Sequence, residues 1–405
     1  MYLRKNKLSL HFALILLVVV CLSFSSCGGG GYDNPQAKPP SVMVSAATLN
    51  LWATNGYGTD ARGYNKMVIL DVTTADKYNA GHVPGSYLLD TATDLAAKRN
   101  DGVGDTISMV ATQSQMNTLI QRTGIDERTV IVFTTEDGGG SLMSLSRAYF
   151  NFRYWGFPKE RLKVLDGSKA VYKASFPLST EPTLAPTPST YSVCLLAQDT
   201  SVRAPLAEMI VVAEDNDLNT VVLDSRSPNE YNGVAGSTKG PGGTDFVAFE
   251  GHIRTAINQN YTELINGNTN TQILSKQTLT EKFTALGING SKTSYPYCRT
   301  SYRGAITFLV LDGILGYPVK LYDGAWIEWG QMADESYDGA LKSDSPWKTN
   351  TSSRSEAITY NKEAGKTVEK LLNANSYALR ADMVNVSDST ACGTGSGNKP
   401  IAPGY

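Results

Sequence analysis

The sequence carries no surplus of charge of either sign. Its 36 lysines and arginines stand against 38 aspartates and glutamates, a formal net charge of −2. Proteins that bind nucleic acid usually show a basic excess, so this balance argues against such a partner. Long apolar runs are also scarce. Residues 8–22 are mostly apolar, yet the run is short for a membrane-spanning helix, which needs about 20 residues. Cysteine is sparse, five in 405 residues, so each one can be weighed individually. With 41% hydrophobic and 18% charged residues, the composition does not suit disorder except at the ends. The length suffices for about two or three domains.

The first segment reads as a secretory signal rather than as part of the fold. Arg4, Lys5 and Lys7 form a basic start, the apolar run follows, and Ser25 and Ser26 precede Cys27. The stretch through Cys27 and the glycines after it resembles a bacterial lipobox, with Phe24 where leucine is commonest. The resemblance implies lipidation of Cys27 and an exported protein anchored in the cell envelope by its lipid. Gly28 after the cysteine points to the outer rather than the inner membrane. Simple secretion and an uncleaved anchor are the alternatives. Cys21 falls within the leader, which leaves Cys194, Cys298 and Cys392. In an oxidising compartment an odd number suggests one thiol kept free for chemistry. A bridge between Cys194 and Cys392 is one expectation; Cys392 as a resolving thiol for Cys298 is the other.

A pattern then occurs twice. The first copy reads Met67-Val-Ile-Leu-Asp-Val72, Lys77-Tyr78, Gly81-His82-Val83; the second reads Thr220-Val-Val-Leu-Asp-Ser-Arg226, Glu230-Tyr231, Gly251-His252-Ile253. Asp71 to His82 is 82 − 71 = 11 positions and Asp224 to His252 is 252 − 224 = 28, so the second copy carries a glycine-rich insertion near residues 234–250. In each copy a strand-like run follows (129–133, 294–297), then a loop, a helix (142–154, 305–315), a short strand (162–165, 319–322) and an Asp-Gly pair. Strands alternating with helices predict an α/β fold with two tandem units, each a small parallel sheet flanked by helices. The expected layout is a signal peptide with lipobox over 1–27 and a flexible tether over 28–48. A first domain follows over 49–180, a proline-rich linker over 181–195, a second domain over 196–345 and an extension over 346–405. Helix is expected at 355–372 and irregular chain after 387.

In parallel sheets the site lies beyond the carboxyl ends of the strands. Cys298 sits at such an end, in Tyr295-Pro-Tyr-Cys-Arg-Thr-Ser-Tyr-Arg-Gly304. A cysteine in a loop that leads into a helix faces backbone N–H groups and the positive end of the helix dipole. Both favour the thiolate, as do Arg299 and Arg303, and the thiolate is the nucleophile. The stretch therefore reads as a reactive cysteine facing an anionic substrate, with Arg299, Thr300, Ser301, Tyr302 and Arg303 around it. Asp224 and Arg226 read as a structural ion pair. His82 and His252 recur although only one copy has the cysteine, so both read as structural. Glu136 and Asp137 are expected to be solvated, and Trp326 and Trp329 to be core or rim aromatics. No metal or organic cofactor is implied.

Taken in order, these elements resemble the two-domain rhodaneses, thiosulfate-type sulfurtransferases, over roughly residues 49–332. The resemblance implies that the second domain is catalytic. The first has Thr134-Thr-Glu-Asp-Gly-Gly-Gly-Ser141 at the matching place and no cysteine, and so is structural. It implies a small anionic sulfur donor, a thiol or cyanide acceptor and a persulfide on Cys298. Six residues from Cys298 to Arg303 match the loop length of sulfurtransferases rather than the longer loops of related phosphatases and arsenate reductases. Some thiosulfate-specific members carry arginine where this chain has Arg254, which makes Arg254 a candidate anion binder. The glycine usual at the fourth loop place is Ser301 here, so a different loop backbone is expected. Two alternatives to sulfur transfer stand beside it. The same thiolate could handle selenium or tellurium oxyanions, or the chain could be a non-enzymatic binding module with a protein partner in the envelope.

Overall fold

The computed structural model describes residues 41–101, 105–215, 217–234, 237, 251–267 and 271–331. The expected leader with Cys27, most of the insertion, the expected extension and Cys392 lie outside the described residues. Among the described residues no helix is long and apolar enough to cross a membrane.

The two copies of the sequence pattern build two sheets of the same order. In the first, β1 (Met43–Val44), β2 (Lys66–Val72), β3 (Ser86–Leu89), β4 (Thr129–Thr135) and β5 (Leu162–Leu165) pair in the order β1-β5-β4-β2-β3, all parallel. The central runs Val-Ile-Leu and Val-Ile-Val-Phe are buried on both faces, as strands covered by helices on both sides must be. In the second, β6 (Arg203–Ala204), β7 (Thr220–Asp224), β8 (Ile257–Asn258), β9 (Thr293–Tyr297) and β10 (Leu321–Tyr322) form β8-β7-β9 and β10-β6, again parallel. The Ser294 N–H donates to the Pro318 carbonyl at 3.0 Å and the Lys320 N–H to the Ser294 carbonyl at 2.9 Å. These bonds join the two parts into the order β6-β10-β9-β7-β8, the order of the first sheet.

One long helix in each copy packs on its sheet and on the other helix. The first, α1 (Gly139–Tyr154), follows β4. The second, α2 (Tyr302–Phe308), follows β9 and winds on as a π-helix over Leu309–Leu315. Phe150 of α1 meets Phe308 of α2 edge to face, with ring centres 5.2 Å apart. Gly304 eases the approach of α2: a Cβ there would lie 3.1 Å from both Cα and C of Tyr297, so a larger residue would push the helix a few tenths of an ångström off the end of β9. The apolar core therefore runs continuously from Val42 of the first copy to Leu321 of the second.

Charge also joins the copies inside the protein. Arg147 of α1 is paired with Asp323, and both side chains are fully buried. Asp323 also accepts from Arg203 Nε at 3.2 Å and from the Val110 N–H at 2.8 Å, while Arg203 reaches Asp101 at 2.8 and 3.0 Å. Burial works against the Asp323 carboxylate, but Arg147 and Arg203 outweigh it and hold its pKa below the usual range. The Asp323-Gly324 pair, which closes the pattern of the second copy, thus also fixes the two domains to each other. Removing one partner of a buried ion pair leaves an uncompensated charge, so Arg147→Met should cost roughly 3 kcal/mol. That is the low end for such a loss, because Arg203 and the Val110 amide still face the carboxylate. Urea unfolding measures it, and a loss near zero would make the pair a bystander.

Candidate active site

The site begins at the register of the central strands. In the first sheet Asp71 pairs with Thr134; in the second Asp224 pairs with Tyr297. The next residues are Thr135 and Cys298, so Thr135 occupies the place of the cysteine in the first copy. Its hydroxyl donates to the Val72 carbonyl at 2.8 Å. Cys298 is a free thiol and is buried, 1% exposed.

The loop after Cys298 is held from behind. The Trp326 N–H donates to the Cys298 carbonyl at 2.9 Å and the Ile327 N–H to the Arg299 carbonyl at 3.0 Å. Among the described residues no peptide bond is cis, and in a trans peptide C=O and N–H point in opposite directions. With those two carbonyls turned toward residues 326–327, the amides of Arg299 and Thr300 point the other way. Ser301, at the fourth loop place, has φ 58° and ψ 12°. This left-handed conformation costs a non-glycine residue about 1–2 kcal/mol. The Ser301 hydroxyl donates to the Tyr322 carbonyl, which offsets that strain. The serine thus takes the left-handed turn that glycine would enter freely, and the loop is closed by a side-chain bond instead.

Cys298 opens onto a cavity of about 480 Å³ whose lining includes Arg299, Thr300, Tyr302 and Arg303. Arg303 makes a bidentate pair with Glu230, at 2.6 and 2.8 Å. Burial opposes the Arg303 cation, but the hydrogen bonds to Glu230 and the charges of Cys298 and Glu230 raise its pKa overall. Arg299 is pulled down, by burial first and then by Arg303. Tyr302 is half-buried, with its ring 5.6 Å from the Arg147 guanidinium. Arg254 is half-buried and is not among the described residues that line this cavity.

Behind the loop lies a buried frame. Arg226 and Asp224 pair at 2.5–3.1 Å, Tyr297 donates its hydroxyl to Asp224 at 2.7 Å, and the Arg226 guanidinium lies 4.8 Å from the Trp326 ring centre. Trp326 and Trp329 are fully buried core residues. His252 stacks on Tyr231 with centroids 3.7 Å apart and donates Nδ1–H to the Tyr231 carbonyl at 2.7 Å. His82 repeats both contacts with Tyr78, at 3.9 and 3.0 Å. The first copy also solves the charge problem differently. The Lys169 ammonium reaches Asp71 at 2.8 Å and the Gly81 carbonyl at 2.6 Å, contacts that Arg226 makes with Asp224 and the Gly251 carbonyl in the second. Lys169 stands three residues after Asp166, as Trp326 does after Asp323. The cation has moved from one strand end to another.

One expectation fails in part. Asp137 is exposed, as expected, and accepts from the Ser168 hydroxyl, whereas Glu136 is half-buried and pairs with the buried Lys169. Five cavity residues were not site candidates in the sequence reading: Glu230, Gly140, Met143, Tyr261 and Ser237, the last from the expected insertion. Glu230 carried a signal, the Ser-x-x-Glu capping box, whose bonds to Ser227 are present. Gly140 and Met143 come from α1 of the other copy, and Tyr261 from the turn after β8; only the fold brings them here. Cys194 is disulfide-bonded, while the partner expected for it, Cys392, lies outside the described residues. Among the described residues no group of three or more His, Cys, Asp or Glu side chains could hold a metal ion.

A lone buried thiol beyond the carboxyl end of a central parallel strand, in a six-residue loop closed by arginine, defines an α/β thiol site carried by one of two duplicated domains. The sequence family of rhodanese-like domains matches residues 59–175 and 210–332, and the chain belongs to that family. It is 31% identical to the sulfur carrier protein TtuD of Thermus thermophilus over 260 residues, 63% of this chain and 84% of that protein. It is 28% identical to a thiosulfate sulfurtransferase of Azotobacter vinelandii over 274 residues, 66% of this chain and 90% of that one. Among solved structures, the 3-mercaptopyruvate sulfotransferase of Escherichia coli is similar in fold. Its TM-score is 0.54 at 19% identity, covering 71% of this chain and 99% of that one.

Glu230 also sets an acid limit. Burial raises its pKa, but the hydrogen bonds and charge of Arg303, then Arg226 and the Ser227 amide, bring it down to about 2. A folded-state pKa below the unfolded value stabilises the fold above about pH 4.5 and loses that contribution as pH falls toward about 2, on the order of 3 kcal/mol in all. Glu230→Gln should therefore be less stable than wild type at neutral pH. The gap should close through that window, as read from denaturant midpoints at each pH. A gap that stays constant with pH would contradict it.

Proposed function

We propose that this protein is a sulfurtransferase that carries a sulfane sulfur on Cys298. The observation that carries the reading is the free thiol of Cys298 at the end of β9, opening onto a cavity lined by Arg299 and Arg303. The relatives named for sulfur transfer support the reaction class. With thiosulfate as donor, the Cys298 thiolate attacks the outer sulfur. A bond forms between the two sulfurs, the bond within thiosulfate breaks, and sulfite leaves with the electron pair. Cys298 is left as a persulfide anion. The amides of Arg299 and Thr300, turned away from residues 326–327, are placed to donate to an anion over the loop. The guanidinium groups attract an anionic donor. A second nucleophile, cyanide or a thiol, then takes the outer sulfur and returns the Cys298 thiolate.

Two half-reactions sharing one covalent intermediate give ping-pong kinetics. Double-reciprocal plots at several cyanide concentrations should be parallel. Cys298→Ser should lower turnover more than about 10³-fold, the scale for loss of a nucleophile. Intersecting lines together with an active serine variant would defeat the assignment.

A further inference from the structure

We propose that the wall of the cavity supplied by the cysteine-free domain is the acceptor subsite, and that it takes the organic body of a thiol. The inference rests on the persulfide reading above. A volume of about 480 Å³ falls within the roughly 300–1,000 Å³ of pockets that take ligands of drug size. Thiosulfate, with five heavy atoms, or cyanide, with two, leaves most of that space open.

The charged lining residues, Arg299, Arg303 and Glu230, all come from the second domain, whereas the two residues that the first domain supplies, Gly140 and Met143, carry no charge. Gly140 and Met143 lie on the first two turns of α1, directly after the loop that has Thr135 in place of cysteine. The glycines there have separate uses. A Cβ on Gly139 would sit 3.0 Å from the Tyr261 hydroxyl oxygen, so that glycine permits close contact between the domains. A Cβ on Gly140 would meet nothing within 4 Å, so this position leaves room beside the cavity. Met143 adds a flexible, polarisable thioether that adapts to irregular apolar groups and to other sulfur atoms. The first domain has Thr135 in place of the sulfur nucleophile and presents a recess to the second.

The step balances without a further reagent. The acceptor thiolate attacks the outer sulfur of the Cys298 persulfide and a new sulfur–sulfur bond forms. The bond to Cys298 breaks, its electron pair returning to the Cys298 thiolate, and the acceptor leaves as a persulfide anion.

The experiment compares glutathione with cyanide as acceptor, at saturating thiosulfate, in the full chain. Gly140→Phe should lower the ratio of kcat/KM for glutathione to that for cyanide by about tenfold, the scale of steric discrimination in a pocket. Met143→Ala, which removes the thioether without adding bulk, should lower the same ratio severalfold and decides the matter if the phenylalanine variant does not fold. An unchanged ratio overturns the proposal. So does a variant that no longer gains sulfur from thiosulfate by intact mass, because the wall would then serve the donor. A wild-type protein that gains no sulfur would instead overturn the persulfide reading itself.

Discussion

The site depends on two backbone hydrogen bonds, from the Trp326 and Ile327 amides to the Cys298 and Arg299 carbonyls. They turn the loop so that its next amides face away from the protein interior, which is what an anion over the loop requires. Much of the second domain serves to hold residues 326–327 in place. Trp326 is packed against Arg226, Arg226 is locked to Asp224, and Asp224 takes the hydroxyl of Tyr297, the residue before the cysteine. The frame closes on itself through the strand that carries the nucleophile. It is buried throughout, and buried polar groups of this kind fix geometry because each leaves a costly orphan if it moves.

Duplication makes the division of labour visible within one molecule. Both copies keep the sheet order, the His–Tyr stack and a cation on the strand-end aspartate. They differ where chemistry would be done. Thr135 stands for Cys298, Glu136 for Arg299, and Lys169 takes the cationic role at the place of Trp326. At the first strand end one ammonium, Lys169, is shared by Asp71 and Glu136, whereas the second presents arginines to a cavity. The Arg147–Asp323 pair then sets the first domain against that cavity.

Much of this was legible in the sequence because the elements repeat. The runs at 67–72 and 129–133 lie within β2 and β4, and the helix expected over 142–154 begins three residues earlier, at Gly139. The glycines 138–140 hid that start, since glycine is a poor helix former whose place is decided by tertiary contact. Cys298 was legible through its company: a strand before it, arginines after it and a glycine where the helix must touch the strand. The charge partners were not. Glu136 with Lys169, Arg303 with Glu230 and Arg147 with Asp323 join residues 33, 73 and 176 positions apart, and no local pattern links such pairs. Arg254, chosen from the family resemblance, lies away from the described lining.

Intact-mass spectrometry of the purified protein after brief exposure to thiosulfate, beside Cys298→Ser, tests the central claim most directly. The account predicts a gain of one sulfur atom that cyanide removes and that the serine variant never shows. A wild-type mass that does not change, or a gain that persists in the serine variant, would contradict it.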